Sequence, residues 1–521
     1  MTQLTGQQTG TGQSDLFIGE IEVVDLTADS EDAGILSANI NALNGGDTIS
    51  GLASQTSSEA NNITTTGILQ TTIDAGSGDD TVTGTGFSRG YNENFSRFVN
   101  ANAYGMSGGS VSGQGGNNTF TFTGTSEASG KAIGTGLLGV VLDGGAGADS
   151  FTLRGSATGS QSGTARGAQD STIRGGKSQD RFDISATTNA GTSSSGGSVL
   201  AIGIESTQIT ADGGNDTVDI SANGSGTSAS VKGASGAQII GGAGSDRITI
   251  SGTARSLSRS VSSAVAAGID DQSIVNAGTG DDTITLSASA SGDGRSGSSG
   301  TSYGAKDSTV LGGNGNDTIT VSANSEGINP NPAYGLNNSE VNGGNGSDII
   351  TLSAQSSGFS AAAYGAFQSK VNGGAGDDQI TMTANASSIS RTGAGAFESE
   401  IRAGAGNDII KAEVIIDKSG FGSVYDIQDS LILGGAGDDT IDVGIGSGTI
   451  KGGTGTDSIV LDFFDSETMS ITAISGGIQI SGTQNKAGFA GEWSQDIIGV
   501  ENYLIGGVNN TAESLQTLTQ A

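Results

Sequence analysis

The chain has 521 residues, of which 92 are Gly and only 2 are Pro, and hydrophobic residues make up 33%. Its 54 acidic and 21 basic residues give a net charge of −33, which disfavours nucleic acid and anionic membranes as partners and favours cations. Cys and His are absent, which excludes disulfides, catalytic triads and ordinary zinc sites.

An eight-residue motif recurs along the chain at intervals of about 30 residues, and such a period indicates stacked structural repeats. Clear copies are Gly312–Ile319, Gly343–Ile350, Gly373–Ile380 and Gly434–Ile441. The copies share the pattern G-G-x-G-x-D-x-U, in which U is apolar. The sixth position falls at Asp47, Asp80, Asn118, Asp149, Asp180, Asp216, Asp246, Asp282, Asp317, Asp348, Asp378, Asp408, Asp439 and Asp457.

Apolar residues keep a fixed register with this motif. One precedes the first Gly by two residues, as Val341 does, and others hold the eighth and tenth positions, as Ile350 and Leu352 do. This period of two predicts a strand with one buried face. Disordered low-complexity sequence would not hold such a register through so many periods. The sequence therefore predicts an all-β fold, a right-handed parallel β-solenoid of about 14 coils whose stacked coils share internal ladders.

The Gly-Asp corner of each repeat suits a hard cation. Gly lets the backbone bend sharply enough for several carbonyls to point at one spot, and the Asp adds an anionic oxygen. Six to eight such oxygens form a Ca²⁺ site. The alternative is that these corners are only tight turns, since Asp and Gly favour turns. The number of copies with the Asp fixed relative to Gly and Ile favours the metal.

The repeat resembles that of the repeats-in-toxin (RTX), or haemolysin-type, calcium-binding family, over about residues 42–460. The resemblance implies about ten or more Ca²⁺ per chain, each held between adjacent coils by the sixth-position Asp and by backbone oxygens. The implied Asp ligands are Asp80, Asp149, Asp180, Asp216, Asp246, Asp282, Asp317, Asp348, Asp378, Asp408, Asp439 and Asp457. The implied Gly positions, in the clearest copies, are Gly312, Gly315, Gly343, Gly346, Gly373, Gly376, Gly434 and Gly437.

The sequence departs from the family in the length of its coils. Family members usually repeat a nonapeptide in tandem, whereas only residues 434–460 do so here. One motif per coil predicts a single calcium column along one edge. Asn118, and Lys177 with Ser178 in the Asp180 motif, predict weaker or empty sites.

The regions outside the repeat predict the remaining organisation. Residues 1–40 are expected to form an N-terminal cap, residues 41–460 the solenoid, and residues 461–521 a C-terminal cap. The first basic residue is Arg89, so a Sec signal peptide is not expected, and no segment reaches the length of a transmembrane helix. The tail, rich in Thr, Gln and Leu, resembles the C-terminal signal that type I exporters read; the alternative is a frayed terminus.

These features predict a secreted, calcium-dependent structural protein and not an enzyme. The chain would be largely unfolded at submicromolar calcium and would fold and self-associate outside the cell into a surface layer, sheath, matrix or filament. The alternative function is an adhesin or a ligand- or ice-binding module. Its basis is a predicted outward ladder of hydroxyl residues, Thr249, Thr285, Thr320, Thr351 and Thr381, although Thr also simply suits exposed strand positions.

Overall fold

The structure is a computed structural model of the chain, and it forms two compact units, Met1–Ala277 and Gly278–Ala521. It describes residues 3–24, 30–91, 98–190, 197–257, 262–292, 298–327, 331–387, 390–415, 422–461, 469–484, 491–505 and 508–518. The Lys177 and Ser178 positions lie within these ranges, whereas the last three residues of the predicted export signal do not.

Each coil of the first unit contributes a strand to a first face, directly after the Gly-Asp corner, and then strands to a second and a third face. First-face strands are β2 (Leu16–Val24), β4 (Thr48–Ser57), β6 (Thr81–Gly90), β8 (Thr119–Ala128), β11 (Ser150–Gly159), β14 (Arg181–Ala190), β17 (Thr217–Gly226) and β20 (Arg247–Ser256). Second-face strands are β9 (Lys131–Leu138), β12 (Ser162–Gln169), β15 (Ser198–Glu205), β18 (Ser228–Ser235) and β21 (Ser262–Asp270). Third-face strands are β1 (Leu4–Thr9), β10 (Val141–Gly145), β13 (Thr172–Gly176), β16 (Gln208–Gly213), β19 (Gln238–Ala243) and β22 (Ile274–Thr279). Strands β3 (Ser30–Asn41), β5 (Asn62–Asp74) and β7 (Asn100–Ser112) run through both the second and third faces.

The second unit repeats this arrangement and ends in antiparallel strands. First-face strands are β23 (Thr283–Ser291), β26 (Thr318–Glu326), β29 (Ile349–Ser357), β32 (Gln379–Ser387), β35 (Ile409–Ile415), β37 (Thr440–Val443), β39 (Ser458–Val460) and β43 (Asn502–Ile505). Second-face strands are β24 (Ser298–Lys306), β27 (Asn331–Asn337), β30 (Ser360–Phe367) and β33 (Ser390–Phe397). Third-face strands are β25 (Thr309–Asn314), β28 (Glu340–Asn345), β31 (Lys370–Ala375), β34 (Glu400–Ala405) and β38 (Gly446–Thr454), while β36 (Val424–Ala436) spans both faces. Strands β40 (Met469–Ile474), β41 (Gly477–Gln484) and β42 (Gly491–Ile498) are antiparallel neighbours, and β44 (Val508–Asn510) and α1 (Ala512–Leu518) follow.

Alternating side chains build the core of each coil. In β29, Ile350, Leu352 and Ala354 are buried while the residues between them face outward. Parallel pairing keeps each apolar residue over its counterpart, so Ile350 pairs with Ile319 on one side and Ile380 on the other. In the first unit the rings of Phe120, Phe151 and Phe182 stack with centroids 5.1 and 4.6 Å apart. These ladders remove apolar surface from water that a single coil could not bury alone.

A second corner, between the second and third faces, is held by serines. In the second unit each corner serine's backbone N–H donates to the next serine's hydroxyl, at 3.1–3.2 Å, along Ser308, Ser339, Ser369, Ser399 and Ser430. Each hydroxyl in turn donates to the carbonyl two residues earlier, at 2.7–2.9 Å. The residue before each serine has a positive φ, for example 49° at Gln368 and 45° at Glu398. This corner therefore turns without glycine.

The predicted fold class is confirmed: the chain is nearly all β and forms a β-solenoid of about 13 turns. The predicted number, about 14 coils, is close to this. Within the described ranges, no helix combines the length and apolar character needed to cross a membrane. The first strands, β1 and β2, pair in parallel with β3 and β4, in the manner of the later coils.

Candidate metal centre

The sixth-position residues form a column in the first unit, linked by one recurring hydrogen bond. The backbone N–H of each residue donates to the side-chain Oδ1 of the sixth-position residue in the next coil, at 2.6–3.0 Å. The column runs through Asp15, Asp47, Asp80, Asn118, Asp149, Asp180, Asp216 and Asp246. One carboxylate oxygen per coil is thus used to hold the backbone of the coil before it.

The second unit repeats the column. The same N–H to Oδ1 bond, at 2.7–3.0 Å, links Asp282, Asp317, Asp348, Asp378, Asp408, Asp439 and Asp457 in order. The carboxylates predicted as ligands in each unit therefore lie one above another. Their corners are in register because the flanking strands pair residue by residue, as Thr318 does with Ile349.

The other carboxylate oxygen, Oδ2, is buried and lacks a hydrogen-bond donor among the described residues. This holds for Asp47, Asp80, Asp149, Asp180, Asp216, Asp317, Asp348, Asp378, Asp408, Asp439 and Asp457. These residues are at most 2% exposed. A buried ionised oxygen without a partner is strongly unfavourable, so each corner calls for a proton or a cation.

Carbonyl oxygens lie beside this second carboxylate oxygen. A Cβ added to Gly343 would lie 2.3 Å from Asp348 Oδ2 and 2.6 Å from the carbonyl oxygen of Gly373 in the next coil. The same pair surrounds Gly312, with Asp317 Oδ2 at 2.5 Å and the Gly343 carbonyl oxygen at 2.4 Å. Acceptor oxygens from two coils therefore converge beside the first glycine of the motif.

The Asn118 coil shows which groups surround the position of Oδ2. Asn118 is 1% exposed, and its Nδ2 donates to the carbonyls of Gly116, in its own loop, and Gly144, in the next loop, at 3.3 and 3.2 Å. These are the fourth position of one motif and the first position of the following motif. In the Asp coils an oxygen replaces this amide nitrogen, so only acceptors meet there. The donor set, one carboxylate with backbone carbonyls, suits Ca²⁺.

Glycines at the second and fourth positions let the loops stack closely. Gly344 and Gly346 have φ of 121° and 119°, and an added Cβ would lie 1.9 and 2.0 Å from the carbonyl oxygens of Gly313 and Gly315 in the preceding loop. Side chains rarely adopt such φ values and could not fit at these distances. Gly at these positions is therefore required by the stacking.

Burial raises the pKa of the column carboxyls. The pKa is raised to about 7 at Asp180, Asp216 and Asp378 and to about 6 at Asp80, Asp149, Asp348 and Asp439. Loss of solvent is the largest cause, and nearby carboxylates add to it, while the donated backbone N–H opposes it. Ionised carboxylates in neighbouring coils therefore repel one another, and a divalent ion would neutralise this charge.

A second ladder lies one residue earlier, on the exposed side of the loop. Here the backbone N–H of the fifth-position residue donates to the fifth-position side chain of the preceding coil. Asn117 N–H donates to Asp79 Oδ1 at 2.7 Å, and Ser347 N–H donates to Asn316 Oδ1 at 2.8 Å. This ladder could have been predicted from the sequence, since Asp, Asn or Ser fills most fifth positions of the motif.

The column includes two residues, Asp15 and Asp47, that are not among the ligands predicted from the sequence. Asp47 lies in the column with a buried, unpartnered Oδ2. Asp15 begins the column, but its carboxylate accepts the N–H of Thr11 at 2.7 Å. The spacing from Gly10 to Asp15 and on to Phe17 matches the motif and could have revealed it. Among the described residues, no three acidic side chains gather into one metal cluster.

The stacked strands form a parallel β-solenoid, and one edge of its coils carries buried acidic side chains at the Gly-Asp corners. Four copies of the family described as the RTX calcium-binding nonapeptide repeat match this chain, within residues 72–87, 304–324 and 428–450. The chain therefore carries RTX calcium-binding repeats, as the resemblance predicted. Such repeats bind calcium and are typical of secreted proteins. A search of curated proteins found no match to this chain.

Proposed function

We propose that this chain is a secreted, calcium-dependent structural protein that folds when extracellular calcium fills the corner column and then assembles into a surface layer, sheath, matrix or filament. The observation that best supports this proposal is the column of buried Oδ2 atoms that lie near backbone carbonyls and have no hydrogen-bond donor among the described residues. An ionised corner becomes favourable when a cation supplies the missing positive charge. The Asp and Gly residues predicted from the motif are the proposed ligands.

The net charge supports calcium as the control of folding. About a dozen Ca²⁺ would contribute about 24 positive charges against a net charge of −33. Without them, carboxylates in neighbouring coils repel one another across the spacing of about 4.8 Å between paired strands. Millimolar extracellular calcium suits sites that combine one carboxylate with carbonyls, whereas submicromolar cytosolic calcium would leave them empty.

Circular dichroism and electron microscopy test both parts of this proposal. With EDTA at pH 8 the purified chain should lack most of its β signal, and calcium at about 5 mM should restore it, since extracellular modules bind in the millimolar range. The same concentration of magnesium is the control, because Mg²⁺ retains its waters. Ordered sheets or filaments should then appear by electron microscopy. Identical β spectra in EDTA and calcium would disprove the folding step, and a persistent monomer in calcium would disprove assembly.

The outward hydroxyl ladders favour a second candidate, an adhesin or a ligand- or ice-binding module. In the second unit Thr285, Thr320, Thr351 and Thr381 pair in register on the first face. This regular array could order water or a repetitive ligand. Ice-recrystallisation and glycan-binding assays on the calcium-loaded monomer separate this candidate from assembly, with T351K as the variant that should abolish binding.

The aromatic residues of the second face do not favour sugar stacking. The rings of Tyr303, Tyr334 and Tyr364 stack on one another with centroids 5.2 and 5.4 Å apart. Their faces are therefore covered by each other and would not offer platforms to a sugar. We propose a non-enzymatic role, because the buried carboxylates already hold the backbone of the neighbouring coil and converge with its carbonyls.

Export is proposed to use a type I exporter that reads the C-terminal region. Such exporters pass unfolded chains, which the low-calcium state described above would provide. The predicted organisation, residues 1–40, 41–460 and 461–521, remains a proposal for the cap and signal segments. Fusing residues 461–521 to a reporter in cells with and without a type I exporter tests this, and equal secretion in both would disprove it.

A further inference from the structure

The last Asp of the column is paired with a residue outside the repeats. Asp457 N–H donates to Glu501 Oε2 at 2.8 Å, in the place where earlier coils use the next Asp. The Asp457 carbonyl accepts backbone N–H groups of Glu501 and Asn502, at 3.2 and 2.9 Å. Residues 501–502 therefore dock onto the final corner through the bonds of an ordinary coil.

The strands on both sides of Glu501 keep the register of one more coil. Strand β42 pairs with β38, placing Ile497 beside Ile450, and β43 pairs with β39, placing Tyr503 beside Ile459. The loop between these strands is shorter than in the repeats: Gly452 and Asp457 are five residues apart, whereas Gly499 and Glu501 are two apart. The longer Glu side chain reaches the position that Asp reaches from a full loop.

Gly499 supplies the carbonyl that the first motif position supplies elsewhere. A Cβ added to Gly452 would lie 2.1 Å from the Gly499 carbonyl oxygen and 2.4 Å from Asp457 Oδ2. This matches the arrangement at Gly343, where the two oxygens are at 2.6 and 2.3 Å. Asp457 is fully buried, and its Oδ2 has no hydrogen-bond partner among the described residues. This orphaned oxygen is an independent indication that a ligand is missing.

We propose that Asp457 and the Gly499 carbonyl, positioned by Glu501, form a closing site for a hard divalent cation that couples its binding to docking of the segment 491–505. The inference rests on the proposed use of calcium but adds to the last corner two residues outside the repeat motif, Gly499 and Glu501. The ion contacts the last coil and the terminal segment together, so the segment docks firmly only in the ion-bound protein. Removing the charge of Asp457 should remove both the ion and this dependence.

The test uses the full-length chain and the variants D457N and D348N, with calcium stoichiometry by equilibrium dialysis and hydrogen exchange of residues 491–505. In the parent, raising calcium from the level that protects strand β35 to saturation should slow exchange of these amides by a further factor of about ten or more, and this further slowing is the calcium effect on the segment. D457N should bind one ion fewer, and the calcium effect on the segment should fall towards onefold, because an amide can donate to the carbonyls as Asn118 does. D348N should also lose one ion but keep the calcium effect on the segment.

The outcomes separate this inference from the proposed function. If neither variant loses an ion, calcium does not use the column and the proposed function fails. If D348N loses an ion while D457N loses none, the closing site alone is wrong. E501A is a second variant, expected to speed exchange of residues 491–505 in calcium, whereas E492A, on the exposed side of β42, should not. Equal exchange in E501A and E492A would also overturn the inference.

Discussion

Changing Asn118 to Asp should convert a calcium-independent corner into a calcium-dependent one. The Asn118 amide now donates to two buried carbonyls, Gly116 O at 3.3 Å and Gly144 O at 3.2 Å. N118D replaces this donor with an acceptor. Each buried group left without a partner costs about 1–3 kcal/mol, so two carbonyls give about 2–6 kcal/mol at this coil without calcium. With saturating calcium, an added ion should return most of that stability.

Hydrogen exchange of residues 119–128, in strand β8, is the assay, because the chain as a whole need not unfold in one step. As calcium is lowered, these amides should lose protection at a higher calcium concentration in N118D than in the parent, and at saturating calcium their opening free energy should approach that of the parent. Equilibrium dialysis should show one more bound ion. The matched control is N117D, which makes the same charge change on the exposed fifth-position ladder, where the side chain already accepts the N–H of Ala148.

Three outcomes would contradict this reasoning. N118D could bind no additional calcium, its β8 amides could lose protection at the same calcium concentration as those of the parent, or N117D could show the same losses. The first would mean that the carbonyls near Asn118 are not ligands. The second would mean that the amide bonds contribute little, and the third that net charge alone controls stability.

Three further predictions follow from the corners and the core. G346A should destabilise the second unit in urea by about 2–4 kcal/mol, because the φ of 119° is strained for Ala and the new Cβ would lie 2.0 Å from the Gly315 carbonyl oxygen of the preceding coil. The control is G115A, whose Cβ would meet nothing within 4 Å and which should change stability in urea little. In EDTA, β structure should be greatest at acidic pH and should be lost as the pH rises from about 4 through 7. The reason is that burial raises the folded-state pKa of groups such as Asp180 to about 7, while the unfolded value is about 3.9. Equal circular dichroism at pH 5 and 8 would contradict this. F151A should cost about 3–5 kcal/mol by removing the middle ring of the Phe stack, measured by hydrogen exchange in calcium, and a cost below about 1 kcal/mol would show that the ladder does not stabilise the coil.

The solenoid could be predicted because its signals repeat. An apolar residue at the eighth position, such as Ile319, Ile350 and Ile380, returns in every coil at a fixed distance from the corner Asp. Stacking identical registers is the one arrangement that buries all of them, so period and alternation together determine the fold. The Gly-Asp pattern likewise places the carboxylates in a column.

The second corner was not predicted, although each corner serine of the second unit stands nine residues before its sixth-position Asp, as Ser399 does before Asp408. Ser399 holds the corner, but Ser is common throughout the chain, so its spacing alone does not reveal that its hydroxyl accepts a backbone N–H. The residue before it, Glu398, has a φ of 45°, which sequence normally signals through Gly or Asn. The hydrogen bond from the Ser399 N–H to Ser430 Oγ and the stacking of the neighbouring coils stabilise this conformation, which the intrinsic preference of Glu would not favour.

Glu501 was missed for a related reason. In the repeat motif the Asp stands five residues after the first Gly. In the closing loop a Glu stands two residues after Gly499. The shorter backbone and the longer side chain compensate for each other in space. Only the flanking register, with Ile497 and Tyr503 over apolar residues of the last coil, carries the signal.

Each corner Asp serves two coils at once, and this predicts cooperative calcium binding. In Asp348, Oδ1 accepts the N–H of Asp317 in the preceding coil, while Oδ2 faces the cation position of its own corner. An ion at one corner fixes the carboxylate that holds the neighbouring loop, so it prepares the next site. Calcium titration of the β signal should therefore be steeper than a one-site curve. In the first unit Asn118 interrupts the run of carboxylates, so N118D should steepen the titration there, followed by hydrogen exchange of strands β6 and β11. A hyperbolic curve in both proteins would show that the corners fill independently.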